Sequence, residues 1–424
     1  MGPRSVGDFS QPPETNDPYI YVDPGTGRVF TFHMSPILTC SISSFSDNGG
    51  QSWQTNPVGC GPTAVWDHQT MVAAKPRQFD TIGYPNVLHQ CVNAVYAAMC
   101  SRSIDGGVTW QPSVPAYDNP HLTSLCGAQH GHLAAGPDGT VYLPTSRCGT
   151  RPEIFISRDD GLTWQQSVVS NINIPFVDPT VSADSEGNLY VSFIDESGWL
   201  YYSVSRNGGG SWSEPVRIAE GWTTQMPVIV AGDPGKVVVA YPATDDLPEG
   251  FATTGYGSSS TGVAWGANFS VSYNGLDENP TFETVVATGD DPIGRRNVCG
   301  RGTRCNILID FIEAVIGPDG YPYASFVDGC LGACVTNQSS GNKSGTGVGL
   351  MTTLVSGTPL CEETCWRYRP SGPVASAFGA EDRQDALTVA SAIEASRGLA
   401  LDTPELRRLR AQADRRRVKA VLGS

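Results

Sequence analysis

The chain reads as an all-β protein: a six-bladed β-propeller followed by a helical tail. Three observations carry that reading. The phrase Ser-x-Asp/Asn-x-Gly-x-Thr/Ser-Trp occurs at residues 46–53, 103–110, 157–164 and 205–212. Gly139, Gly187 and Gly235, each in a Gly/Asp/Pro-rich turn, are spaced 48 residues apart, as are Trp164 and Trp212. Between these landmarks lie short apolar-alternating stretches in a chain with 48 Gly, 31 Pro and only 16% charged residues, a composition that favours many short strands over long helices. A repeat of this length holding four strands is the signature of a propeller blade.

The clearest unit is residues 178–218, "DPTVSADSEGNLYVSFIDESGWLYYSVSRNGGGSWSEPVRI". It contains four strands, A to D, joined by three turns, with period-2 alternation in the third strand. The A–B turn of this unit, "DSEGN", has counterparts in "DPGTG" (23–27), "GPDGT" (136–140), "GDPGK" (232–236) and "GPDGY" (317–321). Six blades follow, at 17–56, 67–114, 128–170, 178–219, 224–288 and 305–370. The second has an irregular A–B connection, "PRQFDTIGYP". The fifth carries only a degenerate phrase, "SYNGLDENPTF", and the sixth carries none. Long insertions at 245–262 and 330–347 fall between strands B and C of their blades. The domain division is therefore an extension over 1–16, a propeller over 17–373, and a helical, Arg-rich tail over 374–424. In that tail Thr403 and Pro404 make a helix start. It reads as a solvated helix or as a docking segment for a protein partner.

A formal net charge of -15 argues against nucleic acid and against an anionic membrane surface. No segment is apolar and long enough to span a membrane. Twelve cysteines fall in sequence-local pairs without C-x-x-C spacing, which suits disulfides formed outside the cytosol better than zinc sites. The location expected is extracellular or periplasmic, although no signal peptide is visible in this chain. Asn268, Asn337 and Asn342 head N-x-Ser sequons.

Every position of the repeated phrase has a folding role. Asn48, Asp105, Asp159 and Asn207 can accept backbone N–H groups across the turn. The glycines supply positive φ, and Trp53, Trp110, Trp164 and Trp212 bury a large ring in the outer sheet. The phrase closes one hairpin per blade. Because strands alternate in direction, A–B turns and these phrases share one face, and D-to-A connections and B–C loops share the other.

The phrase resembles the Asp box, or BNR repeat, of the sialidase superfamily, and six blades are similar to its propeller. That resemblance covers about 17–370 and implies that the working site lies on the second face, around the central axis. On that face the sequence places Asp17, Tyr19, Asp67 and His68. His130 and His132 follow in "AQHGH", alternating around Gly131 so that both face one side. Arg147, Arg151, Asp178, Asp195, Glu196, Gln225 and Tyr256 come next, then Arg295, Arg296, Arg301, Arg304, Asp310 and Glu313.

The resemblance further implies three arginines on a sugar carboxylate, a tyrosine nucleophile tuned by a glutamate, and an aspartate acid. Arg147, Arg151, Arg295, Arg301 and Arg304 would supply the arginines, Asp67 the acid, Glu313 the tuning group and Tyr256 or Tyr19 the nucleophile. His68, His130, His132 and Gln225 would complete the substrate-binding wall. Cys126–Cys148 and Cys299–Cys305 would staple the arginine loops. The Arg-Ile-Pro of sialidases is absent, because the matching stretch reads "NDPYIYVD". The function implied is a secreted sialidase-like propeller acting on glycans as an exo-glycosidase. The alternative is a non-catalytic propeller that binds a glycan or protein. No cofactor is demanded, but Asp17 and Asp178 could hold a central Ca2+ or other divalent cation, and His130 and His132 a metal with Asp67 or Asp178.

Overall fold

A computed structural model describes residues 19–33, 41–58, 67–94, 97–118, 130–146, 151–175, 178–224, 226–246, 263–295, 312–336, 348–354 and 357–362. The extension over 1–16 and the tail over 374–424 lie outside the described residues.

Six antiparallel sheets stand in chain order. Blade 1 holds β1 (Tyr19–Val22), β2 (Val29–His33), β3 (Ser41–Ser46) and β4 (Gln54–Val58). Blade 2 holds β5 (Asp67–Ala74), β6 (Val87–Ala94), β7 (Ala97–Ser103) and β8 (Val114–Asp118). Blade 3 is β9 (Ala134–Ala135), β10 (Val141–Thr145), β11 (Glu153–Ser157) and β12 (Gln165–Val168). Blade 4 is β13 (Thr180–Ala183), β14 (Leu189–Ile194), β15 (Leu200–Ser205) and β16 (Val216–Ile218).

In blade 5 the inner strand is interrupted: β17 (Thr223–Thr224) and β18 (Val228–Ala231) both pair β19 (Val237–Thr244), followed by β20 (Gly266–Ser272) and β21 (Glu283–Val286). Blade 6 contributes β22 (Glu313–Ile316), β23 (Pro322–Asp328) and β24 (Val348–Thr353), with one helical turn, α1 (Ala333–Thr336), after β23. The innermost strands β5, β9, β13, β18 and β22 follow one another around the axis.

The apolar cores lie between blades. One joins Phe30, Phe32 and Phe45 of blade 1 to Met71 and Leu88 of blade 2. Another joins Tyr190 and Tyr202 of blade 4 to Val237, Val239 and Tyr241 of blade 5. A third joins Ala240, Trp265 and Phe269 of blade 5 to Ala314 and Phe326 of blade 6.

The repeated phrase builds the same network each time. In blade 3, Ser157 Oγ and the Thr163 backbone N–H each donate to Asp159 Oδ1 at 2.9 Å, and Gly161 N–H donates to Ser157 Oγ at 2.8 Å. The box glycine presses on the preceding blade. Gly209 has φ +86°, and a Cβ there would lie 2.4 Å from Ile156 Cδ1 of blade 3. The tryptophans reach back likewise: Trp212 Nε1 donates to Ser167 Oγ of blade 3 at 2.8 Å, and Trp110 meets Phe32 of blade 1 edge-on.

The degenerate fifth phrase keeps part of the box network across an insertion. Thr281, seven residues after Asn274 instead of four, still donates from its N–H and its hydroxyl to Asn274 Oδ1, at 2.9 and 3.0 Å. Phe282 takes the tryptophan's place against Tyr202. In blade 6 the segment 357–362 runs along the A–B turns instead: Asp233 N–H donates to the Leu360 carbonyl at 2.7 Å, and Leu360 N–H to the Gly320 carbonyl at 2.8 Å.

A–B turns and boxes do share a face. Arg28, just after the blade 1 turn, pairs with Asp47 of its own box at 2.6 Å and donates to the Gly106 carbonyl of the next box at 2.7 Å. The irregular blade 2 connection is held from blade 3. Asp160, fully buried, accepts the backbone N–H groups of Arg77, Gln78 and Phe79 at 2.7–3.1 Å.

Two described disulfides are sequence-local, Cys91–Cys100 across the β6–β7 pair and Cys330–Cys334 at α1. Among the described residues no cysteine is free. The pairings expected for Cys126–Cys148 and Cys299–Cys305 lie outside the described residues. Asn268 is fully buried in β20, so the folded chain presents no glycan acceptor there; Asn337 and Asn342 are outside the described residues. No described helix is long and apolar enough to cross a membrane.

Replacing Asp160 with Ala would remove the buried acceptor of three backbone amides at once. The Asp160→Ala variant should lose about 3 kcal/mol of stability, read as a lowered urea midpoint, with Cys91–Cys100 still formed.

Candidate functional site

Five blades send polar side chains to one end of the axis, and each sends them from the start of its innermost strand. Tyr19 opens β1, His68 lies at the start of β5, and Glu313 opens β22. His130 and His132 precede β9, and Asp178 precedes β13. An innermost strand begins where its blade is closest to the axis, so these starts converge.

His68 reaches the cluster through a bulge. Strand pairing runs Asp67↔Asn93 and resumes at Thr70↔Cys91, so His68 and Gln69 stand opposite one residue of β6. His68 takes φ +49°, a left-handed conformation that costs a non-glycine residue about 1 kcal/mol. Bulges re-aim side chains, and here His68 Nδ1 lies 3.1 Å from Asp178 Oδ2 of blade 4. Residues held in strain of this kind cluster at functional sites.

His132 Nδ1 meets Glu313 Oε2 at 2.6 Å, joining blade 3 to blade 6. Burial alone would favour the neutral ring. The Glu313 carboxylate, by charge and by hydrogen bond, outweighs it with help from Asp178, and the His132 pKa rises above 6.5. The Tyr19 ring stands edge-on to His132 with centroids 5.1 Å apart. Burial first, and then the Glu313 charge, push the Tyr19 phenol well above its usual value, against hydrogen bonds from Thr70 and the Met71 backbone. At neutral pH Tyr19 is therefore a phenol and not a phenolate.

His130 behaves differently from its neighbour. It is 1% exposed, its Nδ1 lies 3.0 Å from the Gly131 carbonyl, and its Nε2 is buried without a partner. Burial pushes its pKa down to about 4. Gly131, between the two histidines, is required by a close approach: a Cβ there would lie 2.4 Å from the Pro179 carbonyl oxygen of blade 4.

The structure thus brings together Tyr19, His68, His130, His132, Asp178 and Glu313. Asp67 sits on the same bulge by its backbone. Arg151 pairs with the buried Glu153 at 2.9 Å. Arg295 is spent on backbone carbonyls, donating to Cys334 at 2.5 Å and Val335 at 2.8 Å. Asp195 accepts the N–H groups of Ser197 and Trp199 and shapes its own turn. Asp17, Arg147, Gln225, Tyr256, Arg296, Arg301, Arg304 and Asp310 lie outside the described residues. Among the described residues no group of three or more His, Cys, Asp and Glu side chains is arranged to hold a metal ion. Asp178 and Glu313 are instead each paired with a histidine. Sequence reasoning had these residues without their pairing, and it missed Gly131, whose signal was its place inside "HGH".

Residues 96–244 match the family model described as a BNR repeat-like domain. That span covers the boxes at 103–110, 157–164 and 205–212. Those residues carry a BNR repeat-like domain within a six-bladed β-propeller.

Solved structures similar to this BNR-repeat propeller include a mutant of the NanB sialidase of Streptococcus pneumoniae, at 13% identity over 76% of this chain and 66% of that one, with TM-score 0.47. A Dyadobacter fermentans protein of unknown function gives 13% identity over 73% and 89%, with TM-score 0.46. A leech intramolecular trans-sialidase gives 9% identity over 83% and 70%, with TM-score 0.47. The propeller spans just under two thirds of the NanB chain. Likeness at this level carries neither activity nor substrate across. No curated protein matches the chain.

Two histidines make the fold acid-sensitive. Burial pushes His130 and His89 down to about 4, while the unfolded chain takes up these protons near 6.5. The stability they confer is complete above pH 6.5 and is lost as pH falls toward 4. Urea unfolding at pH 7 and at pH 4 should differ by on the order of 3 kcal/mol per histidine, and His89→Leu should remove one of the two contributions.

Proposed function

We propose that this propeller cleaves glycosidic bonds of uncharged glycans at the axial mouth of its loop-rich face. The observation behind the reading is the pair of carboxylates, Glu313 and Asp178, each hydrogen-bonded to a histidine from another blade at 2.6 and 3.1 Å.

In this reading the Glu313 carboxylate shifts His132 toward its protonated form, and the imidazolium donates to the leaving oxygen. Asp178 orients His68, which takes a proton from the attacking water. Glu313 holds the imidazolium in place. The neutral Tyr19 phenol donates to a sugar hydroxyl instead of attacking carbon.

An uncharged substrate is favoured because a sugar carboxylate needs unengaged guanidinium forks. Both described arginines of the predicted set are committed elsewhere, and the body of the chain is acidic. The Cys91–Cys100 and Cys330–Cys334 bonds support an extracellular or periplasmic setting.

A panel of aryl glycosides, neutral ones and a sialoside, tests this. Neutral glycosides should turn over, the sialoside should not, and Glu313→Gln should lower kcat by about 100-fold or more. The alkaline limb of kcat/KM should lie above pH 6.5, where His132 loses its proton. Silence across the panel with saturable glycan binding would instead make the protein a lectin-like binder.

A further inference from the structure

Behind the axial site, the interface between blades 1 and 2 contains polar side chains that the protein does not satisfy. Ser41 and Ser43 on β3 and Gln69 and Gln90 on β5 and β6 are all 3% exposed or less. The two serine hydroxyls, both amide atoms of Gln69 and Oε1 of Gln90 are buried without a hydrogen-bond partner.

Register puts these groups on facing surfaces. Ser43 stands opposite Phe32, and Ser41 opposite Val58; both apolar partners belong to the core shared by blades 1 and 2. Gln90 stands opposite Met71, a member of the same core. Thr70 accepts the Leu133 N–H of blade 3 at 2.7 Å, and its buried neighbour Gln69 lies in the bulge two residues before Met71 of the same core.

Each such atom, if left dry, costs the full desolvation of a polar group, and five in one interface would rival the net stability of a domain. Buried sites of this kind are filled by water, each molecule making about three hydrogen bonds.

We infer that the blade 1–blade 2 interface binds a cluster of ordered waters, with Gln69 as its anchor and Ser41, Ser43 and Gln90 as its further ligands. Gln69 is the second residue of the bulge that carries His68, so this water forms the rear support of the axial site. The inference is independent of the proposed activity.

A high-resolution crystal structure of the full chain tests it, together with the thermal midpoint of Gln69→Leu. The expected result is water within hydrogen-bond distance of Gln69 and at least one of the serines. The near-isosteric Gln69→Leu should then lower the midpoint, because it strips the waters of a partner. A dry interface, or one in which these side chains bond to each other, would overturn the inference. So would a Gln69→Leu protein as stable as the parent or more so, the behaviour of a dry unpaired amide replaced by an apolar group.

Discussion

The contact of 2.6 Å between His132 and Glu313 ties together blades that stand three places apart around the ring. It can form only if every intervening blade sits at its proper depth, because the two side chains start from innermost strands in separate sheets. The close approaches elsewhere set that depth. Gly209 has no room for a Cβ against Ile156, and Gly131 none against the Pro179 carbonyl. Glycines at blade junctions let sheets approach more closely than side chains would allow, and the axial cluster is the product of that approach.

Charge is distributed to match. Where a histidine lies between blades without a carboxylate in hydrogen-bond contact, as with His89 and His130, burial keeps it neutral. Where one reaches the axis beside Glu313, as with His132, the carboxylate holds the proton on it. His130 and His132 are separated by a single glycine, yet their pKa values are shifted in opposite directions. The difference follows from what each ring meets: His130 the Gly131 carbonyl, His132 the Glu313 carboxylate. The strained φ of His68 fits the same picture, because the bulge spends backbone energy to place an imidazole on Asp178.

The architecture was legible because it is written in repeats. Four boxes and a 48-residue spacing of glycines and tryptophans sufficed for six blades, their faces and the B–C position of both insertions. The fifth box was legible only in part, since the three added residues between Asn274 and Thr281 disguised the bonds to Asn274 that survive. The roster at the axis was readable from strand starts, which is why Tyr19, His68, His132, Asp178 and Glu313 were all named. Their pairing was not readable, because it depends on which side chains meet across separate sheets. Nor could sequence show that Arg295 would turn to the carbonyls of α1, or that Asp160, an unremarked position inside a box, would cap the blade 2 connection. The resemblance to sialidases pointed to the fold, while the pairing of His132 with Glu313 and of His68 with Asp178 belongs to this chain.

The account rests on Glu313 holding a proton on His132. The direct measurement is an NMR titration of the His132 ring in the parent chain and in Glu313→Gln. The prediction is a pKa above 6.5 in the parent that falls in the variant, with His33 and His89 unmoved. An identical His132 titration in both proteins would contradict it.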